Sequence, residues 1–181
     1  MDKAEKLRVL RELQAGRDAL GEAVAGVDEA MAARKPSHGS WSILECVEHM
    51  VESESYLLTR LHAAEHTDQP FEKSRREGKI ARLAADRSRR IEAPEQAHPK
   101  GRFATLGEAL AAFDATRADV ERWVENCTGD PRCMMTDHPL IVGPVTCAET
   151  LIMMAAHPAR HAKQIAEIRA HFVNLPVGDP N

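Results

Sequence analysis

Four stretches of the chain carry apolar residues at steps of three and four positions, the repeat that places them on one face of an α-helix. These stretches are about Lys3–Val24, Ile43–His62, Leu106–Asn126 and Cys147–Phe172. In the first of them, the residues expected in the core are Leu7, Leu10, Leu13, Leu20 and Val24. Four long amphipathic helices predict an all-α protein, a four-helix bundle in which the apolar faces meet along a common core.

Three of these helices begin with the same local motif, a hydroxyl residue followed three positions later by glutamate. In this capping box the hydroxyl accepts a hydrogen bond from the backbone N–H of the glutamate, and the carboxylate accepts one from the N–H of the hydroxyl residue. The pairs are Ser42 with Glu45, Thr105 with Glu108, and Thr146 with Glu149. Each pair directly precedes a periodic apolar segment, so together they predict where the second, third and fourth helices begin.

The segment between the second and third helices is too long and too charged to be a tight turn. From Glu72 to Glu92 it holds eight Lys/Arg and four Asp/Glu. One interpretation is a basic patch that binds an anionic partner; the other, which we favour, is a solvated crossover containing one short helix. A long crossover between helices 2 and 3 is compatible with a four-helix bundle. We expect a single domain over residues 1–181, with its core at about 3–172 and a loose tail at 173–181.

Composition and charge narrow the classes of function. Hydrophobic residues make up 43% of the chain and aromatic residues only 4%, and β-branched residues are too sparse for a sheet protein. The formal net charge of -4 provides no basic field for general binding of nucleic acid, so we expect a small-molecule substrate instead. The longest apolar run, Leu151–Ala156, is too short to span a membrane, and no membrane partner is expected.

The cysteines and the N-terminus bear on the cellular compartment. Cys127 and Cys133 are close enough in sequence to form a disulfide or to supply two thiolate ligands, but none of the four cysteines forms a CxxC pair. We favour free thiols in a cytoplasmic protein. The N-terminal segment contains no long apolar run of the kind found in signal peptides, which agrees with that location.

Two histidines lie where the fourth helix should be apolar. At about 100° per residue, His157 and His161 are about 40° apart, on the same arc as Met154 and Ile165. Buried imidazoles need partners for both nitrogens, and two neighbouring rings cannot both stay charged. Pro158 follows the first of them and predicts a kink, because it removes the helical hydrogen bond to the carbonyl of Met154.

A divalent metal ion would satisfy both rings, since residues four apart share one helix face and a neutral imidazole donates a lone pair. We expect the third ligand to be His49, at the margin of the apolar face of the second helix. The alternative is that His157 and His161 are core histidines with ordinary hydrogen-bond partners. Their motif reads HPARH and lacks the glutamate of HExxH, so the metalloprotease mechanism does not apply.

Other polar residues near these positions are weaker candidates. His62 and His66 are also four apart, but they fall on the polar side of the second helix near its end and are expected to face solvent. His138 precedes the fourth helix and stays open as a fourth ligand. Glu45 and Arg160 are candidates for contacts around the ligands, the alternatives being a helix cap and a surface charge.

The chain resembles the DinB-like family, which belongs to the larger DinB/YfiT-like superfamily of four-helix bundles, over roughly residues 3 to 172. The resemblance rests on three segments and their order: GSWSILECVEHM (39–50), RIEAPEQAHPKGRF (90–103) and DHPLIVGPVTCAETLIMMAAHPARHAKQI (137–165). The family places one histidine in the second helix and a His-x3-His pair in the fourth. These positions match His49, His157 and His161.

This resemblance implies a bundle that is commonly a homodimer and that binds zinc, nickel or a similar divalent ion through three imidazoles. Some relatives are thiol S-transferases that use bacillithiol or mycothiol, and many have no assigned reaction. The resemblance therefore implies either a metal-dependent transferase with a low-molecular-weight thiol as cosubstrate or a hydrolase. No general base can be named from the sequence.

Two functions from different classes stay open. The first is a metal-dependent enzyme; the second is a non-catalytic, stress-related protein in which the metal joins helices 2 and 4. Structural zinc sites usually have four protein ligands, whereas catalytic sites keep a position open. Only three ligands are evident here, which favours the enzyme, and His138 as a fourth ligand would favour the structural alternative. An interaction module that uses the basic crossover is a third and weaker possibility.

Overall fold

Four long α-helices pack side by side, and the connections between them carry two shorter helices and a small sheet. The computed structural model describes residues 1–68 and 75–173. Its helices are α1 (Lys3–Val24), α2 (Glu29–Ala33), α3 (Ile43–His62), α4 (Arg75–Ala85), α5 (Leu106–Asn126) and α6 (Cys147–Val173). Its strands are β1 (Glu65–His66), β2 (Met134–His138) and β3 (Ile141–Thr146), and a 3-10 turn covers Glu95–Ala97. The predicted all-α four-helix bundle is confirmed, because α1, α3, α5 and α6 build it.

Two core clusters at opposite ends of the bundle show the helix directions. One cluster joins the start of α3 and of α5 to the ends of α1 and α6, since it includes Ile43, Leu106, Leu20 and Ile165. The other joins the start of α1 and of α6 to the ends of α3 and α5. Helices α3 and α5 are therefore parallel neighbours, and the chain must return along the whole bundle between them. This topology requires the long crossover that the sequence predicts.

The described part of the crossover contains one α-helix, α4, which packs on α6 and confirms the predicted short helix. Its buried Ile80 contacts a small cluster that includes Ile152 and Met153. Basic residues of this region serve internal contacts: Arg76 Nε lies 2.9 Å from a carboxylate oxygen of Glu149, and Arg87 pairs with Glu167 at 3.1 Å. Part of the basic charge is therefore used to hold the crossover against α6.

All three capping boxes form as predicted. At α3, the N–H of Ser42 donates to Glu45 Oε2 over 2.8 Å, and the N–H of Glu45 donates to Ser42 Oγ over 3.1 Å. The same pair of bonds opens α5 and α6. The helix starts are thus fixed by contacts within four residues, which explains why the sequence locates them correctly.

Two expectations about the bundle need correction. Leu7 is 44% exposed, and Val9 takes the buried position in that turn of α1. The segment before α6 is an antiparallel hairpin, β2–β3, with β1 added to its edge, where the sequence predicts only a loop. In β2 four of the five residues are half-buried and only Asp137 is exposed, so the alternation of period two that marks a strand is faint there. Of the expected tail at 173–181, Val173 is the last residue of α6, and the remainder lies outside the described residues.

The cysteines are free thiols, as expected: Cys46, Cys127, Cys133 and Cys147 form no disulfide. No helix in the ranges 1–68 and 75–173 combines the length and the apolar character needed to cross a membrane.

Pro158 lies inside α6 and leaves the carbonyl of Met154 without its helical donor. A side chain from another helix replaces that donor, because Arg117 Nη2 donates to this carbonyl over 3.1 Å. Arg117 is fully buried, and it also binds Glu54 and the Leu13 carbonyl. One buried guanidinium therefore joins all four bundle helices at the level of the proline.

This buried pair is costly to assemble. Burial raises the pKa of Glu54 to about 8 in spite of the guanidinium of Arg117 beside it. Removing two such groups from water opposes folding unless their hydrogen bonds are made. The bundle is also tight here, since a Cβ on Gly16 of α1 would lie 2.5 Å from the carbonyl oxygen of Ala155. Close helix packing and the three hydrogen bonds of Arg117 therefore occur at the same level, although Arg117 Nε and Glu54 Oε2 have no partner among the described residues.

We expect Arg117→Met to lower the free energy of unfolding by about 3–5 kcal/mol, because it leaves Glu54 and the Met154 carbonyl buried without their donor. Chemical denaturation monitored by circular dichroism measures the change. The double variant Glu54→Gln/Arg117→Met should recover part of the loss, because it removes the uncompensated acid. A loss below 1 kcal/mol in the single variant would contradict the assigned role.

Candidate metal centre

Three histidines from two helices meet inside the bundle. His49 of α3 and His157 and His161 of α6 each offer one ring nitrogen, and these atoms lie within 4.8 Å of one another. His49 and His161 are 4% exposed, and His157 is half-buried. The three residues named from the sequence are therefore the ones that the fold brings together, and no other ligand-type group joins them among residues 1–68 and 75–173.

Local sequence explains this convergence. His157 and His161 are one turn apart, so both rings leave the same side of α6, the side that packs on α3. His49 is flanked on α3 by Cys46 and Met50, both fully buried in the core cluster around it. Helix packing thus sets the separation of the three rings.

A backbone carbonyl orients the ring of His49. Its Nδ1 lies 2.6 Å from the carbonyl oxygen of Ala97, at the end of the 3-10 turn. A carbonyl can only accept, so Nδ1 carries the proton and Nε2 keeps its lone pair. Metal-binding histidines characteristically donate their second ring nitrogen to such an acceptor. The tautomer of His49 therefore suits a ligand that binds through Nε2.

The pair on α6 lacks a full set of partners. The Nε2 atoms of His157 and His161 are 2.9 Å apart, and the buried Nδ1 of His161 has no hydrogen-bond partner in the described part of the chain. Two nitrogens at 2.0–2.1 Å from one ion lie about 2.9–3.4 Å apart. The observed separation of the two Nε2 atoms fits a shared divalent cation. The unpartnered Nδ1 of His161 would then carry the proton of that ring and would not itself contact the ion.

Electrostatics keep the three rings neutral. Burial, partly offset by the bond to Ala97, lowers the pKa of His49 to about 4. Burial also holds the pKa values of His157 and His161 well below the ordinary range, and the neighbouring imidazoles add to the effect. At neutral pH the lone pairs are therefore not blocked by protons.

Two residues that the sequence left without a clear role border the site. The ring of Trp41 lies 4.8 Å from that of His49 and stacks over His161 at 6.4 Å between centroids. Arg160 is only 6% exposed and donates to the carbonyls of Asp86 and Arg89, so the alternative of a surface charge does not hold. Trp41 stands in the GSWS segment, but its contact with the histidines follows only from the fold.

The other candidates lie elsewhere. His138, at the end of β2, accepts a hydrogen bond from the N–H of Leu140 and is outside the cluster. Glu45 caps α3 and pairs with Lys35 at 2.6 Å. His62 and His66 are exposed, as predicted. They border a cavity of about 560 Å³ between the ends of α3 and α5, which none of the three clustered histidines lines.

Comparison with known proteins places this geometry in a family context. A family model described as the DinB superfamily matches residues 12–165. A search of curated proteins found no match.

Three solved structures share the fold, each at an identity too low to carry more than the fold. TT2238, a four-helix bundle protein, is 23% identical with a TM-score of 0.58, covering 90% of this chain and 98% of its own. YfiT from Bacillus subtilis, "a probable metal-dependent hydrolase with an unusual four-helix bundle topology", is 14% identical with a TM-score of 0.58, covering 96% and 90%. A conserved protein from Enterococcus faecalis is 15% identical with a TM-score of 0.64, covering 96% and 98%.

The lowered pKa values predict how the metal-free protein responds to acid. The unfolded chain takes up protons on its histidines as pH falls through about 6.5, whereas His49 in the folded state resists protonation until pH about 4. The stability due to the neutral rings is therefore present above pH 6.5 and is lost as pH falls toward 4.

We expect the free energy of unfolding of the metal-free protein to fall between pH 7 and pH 4.5, and to fall less steeply in His49→Gln. Urea denaturation at several pH values measures both slopes. His66→Gln, at an exposed ring, is the matched control and should follow the wild type. Equal slopes for all three proteins would show that His49 is not held neutral by the fold.

Proposed function

Because this chain belongs to the DinB superfamily and gathers three neutral imidazoles at one point, we propose that it is a metal-dependent enzyme. His49, His157 and His161 would hold one divalent ion, with zinc or nickel as the proposed metal. The observation that carries the proposal is the approach of the three ligand atoms to within 4.8 Å in the buried bundle. The similar fold of YfiT supports the same class of function.

The ligand set suggests the type of reaction. A divalent ion with three neutral ligands is a Lewis acid that lowers the pKa of water or of a thiol and polarises an electrophilic substrate. We propose transfer of a low-molecular-weight thiol to a small electrophile, or hydrolysis of a small substrate. Ala97 keeps His49 in one tautomer, and the ring of Trp41 lies beside those of His49 and His161. The proposed assembly is a homodimer in the cytoplasm.

A non-catalytic role is the second candidate. The ligands come from α3 and α6, so an ion would join two helices that already pack against each other. A structural zinc site usually has four protein ligands, however, and within the described residues the cluster contains three. His138, the candidate for a fourth, is outside the cluster. The incomplete protein ligand set therefore supports the catalytic proposal over the structural one.

Metal analysis tests the proposed ligands. We expect purified wild-type protein to contain about one divalent ion per chain, and His157→Ala to contain almost none, because two imidazoles bind an ion far more weakly than three. Elemental analysis measures both. His62→Ala/His66→Ala removes a pair with the same spacing at the surface and should retain the metal. Full metal content in His157→Ala would rule out the assigned site.

Activity assays separate the two functions. We expect wild-type protein with bound metal to couple a low-molecular-weight thiol to an electrophile, or to hydrolyse a small ester or amide, and His161→Ala to fall at least about 100-fold, to the uncatalysed rate. Thiol consumption and product formation by mass spectrometry are the readouts, with His66→Ala as the control. Stoichiometric metal without either activity across a broad substrate panel would favour the non-catalytic role.

A further inference from the structure

Glu48, the residue before His49, is a buried acid with an unusual set of partners. Its side chain is 1% exposed, yet no arginine, lysine or histidine side chain is bonded to it among the described residues. Instead its carboxylate accepts three consecutive backbone N–H bonds, from Lys100, Gly101 and Arg102, at 2.9, 3.1 and 2.9 Å. Charged acceptors bind backbone N–H groups about twice as strongly as neutral ones. This contact therefore anchors the segment 100–102 to α3.

The backbone of this segment is shaped for the carboxylate. Gly101 has a φ of +72°, the left-handed conformation that L side chains rarely adopt. The left-handed conformation at Gly101 turns three successive backbone N–H groups toward one point. This arrangement is known as an anion-binding nest. Here the anion is Glu48 of the same chain, so the nest is closed by a side chain from α3 and serves to fix the segment in place.

The anchored segment is directly connected to the group that orients His49. Ala97, whose carbonyl accepts from His49 Nδ1, lies three residues before Lys100. The link between them is stiff, because His98 is extended with ψ of 142° and Pro99 has a fixed φ. A displacement of residues 100–102 would therefore move the Ala97 carbonyl away from the imidazole.

We propose that Glu48 is a positioning residue for the metal centre, acting through the nest at residues 100–102 and the Ala97 carbonyl to hold His49 in the tautomer and orientation of a ligand. The inference rests on the proposed function, since it assigns Glu48 a role at the same metal. It goes beyond the three ligands, because metal sites depend on the groups that orient each ligand.

Glu52, one turn further along α3, provides a matched comparison. It also contacts this segment, but only through the side chains of Lys100 (2.5 Å) and Arg102, each of which is 53% exposed. Loss of Glu52 removes the same charge from the same helix and leaves the nest intact. Glu48→Gln and Glu52→Gln therefore separate the effect of the nest from the effect of a missing negative charge.

The affinity for Zn²⁺, measured by competition with a chromophoric chelator, is the first readout. We expect Glu48→Gln to weaken binding about 10–100-fold, the range for loss of an orienting group. Glu52→Gln should change it by no more than about fivefold, the range for ion pairs with exposed partners. Equal weakening of Zn²⁺ binding in the two variants would show that the lost negative charge alone explains the effect. Wild-type affinity in Glu48→Gln would refute the positioning role.

The tautomer of His49 is the second readout, and it needs no metal. Long-range ¹H–¹⁵N spectra of the metal-free protein should show His49 protonated at Nδ1 in the wild type and in Glu52→Gln, and a mixture of tautomers in Glu48→Gln. An unchanged tautomer in folded Glu48→Gln overturns the inference. If the wild type binds no metal, the proposed function fails while this measurement still decides the role of Glu48.

Gly101→Ala covers the case in which Glu48→Gln does not fold. This substitution keeps every charge and meets no atom within 4 Å, but it strains the left-handed backbone of the nest. We expect the same loss of the Nδ1 tautomer and weaker Zn²⁺ binding, with circular dichroism confirming the helical content. Wild-type values for both would overturn the inference.

Discussion

The central constraint on this molecule is the burial of uncharged imidazoles among apolar helices. Burial lowers the pKa values of His49, His157 and His161, and for His49 to about 4. Rings that cannot take protons in that setting keep their lone pairs, and their nitrogens must then find other partners. The bundle supplies one partner, the Ala97 carbonyl, and leaves His161 Nδ1 without any among the described residues. The chemistry of the site follows from the lone pairs that these neutral rings present to one another within 4.8 Å.

The same constraint shapes the rest of the polar interior. Pro158 leaves the Met154 carbonyl without a helical donor, and Arg117 supplies one from another helix. Glu48 is buried, and no cationic side chain is bonded to it in the described structure. Its carboxylate instead accepts hydrogen bonds from three backbone N–H groups. In each case a polar group that the local sequence leaves unsatisfied is satisfied by a distant segment. These contacts tie the ligand helices to the crossover and to each other, which makes the placement of the rings a property of the whole bundle.

Topology explains why the crossover is part of the site. Helices α3 and α5 are parallel neighbours, so the chain between them must travel back along the bundle. On this path it passes α6, where Arg160 binds the carbonyls of Asp86 and Arg89, and then α3, where Ala97 reaches His49. The basic residues that suggested a patch for an anionic partner partly serve this packing, as the pair of Arg87 with Glu167 illustrates. The long connection thus both completes the fold and orients a ligand.

The sequence by itself determined where the four long helices lie and which three histidines come together. Capping boxes such as Ser42 with Glu45 act within four residues, and the 3.6-residue repeat places His157 and His161 on one face of α6, so both features can be read locally. Only the tertiary structure decided the β2–β3 hairpin, the exposure of Leu7, the burial of Arg160 and the roles of Trp41, Ala97 and Glu48. These depend on which distant segments come into contact, and a backbone carbonyl or N–H partner leaves no signal in side-chain identity. The periodicity of one helix carries no information about the segment that will pack against it.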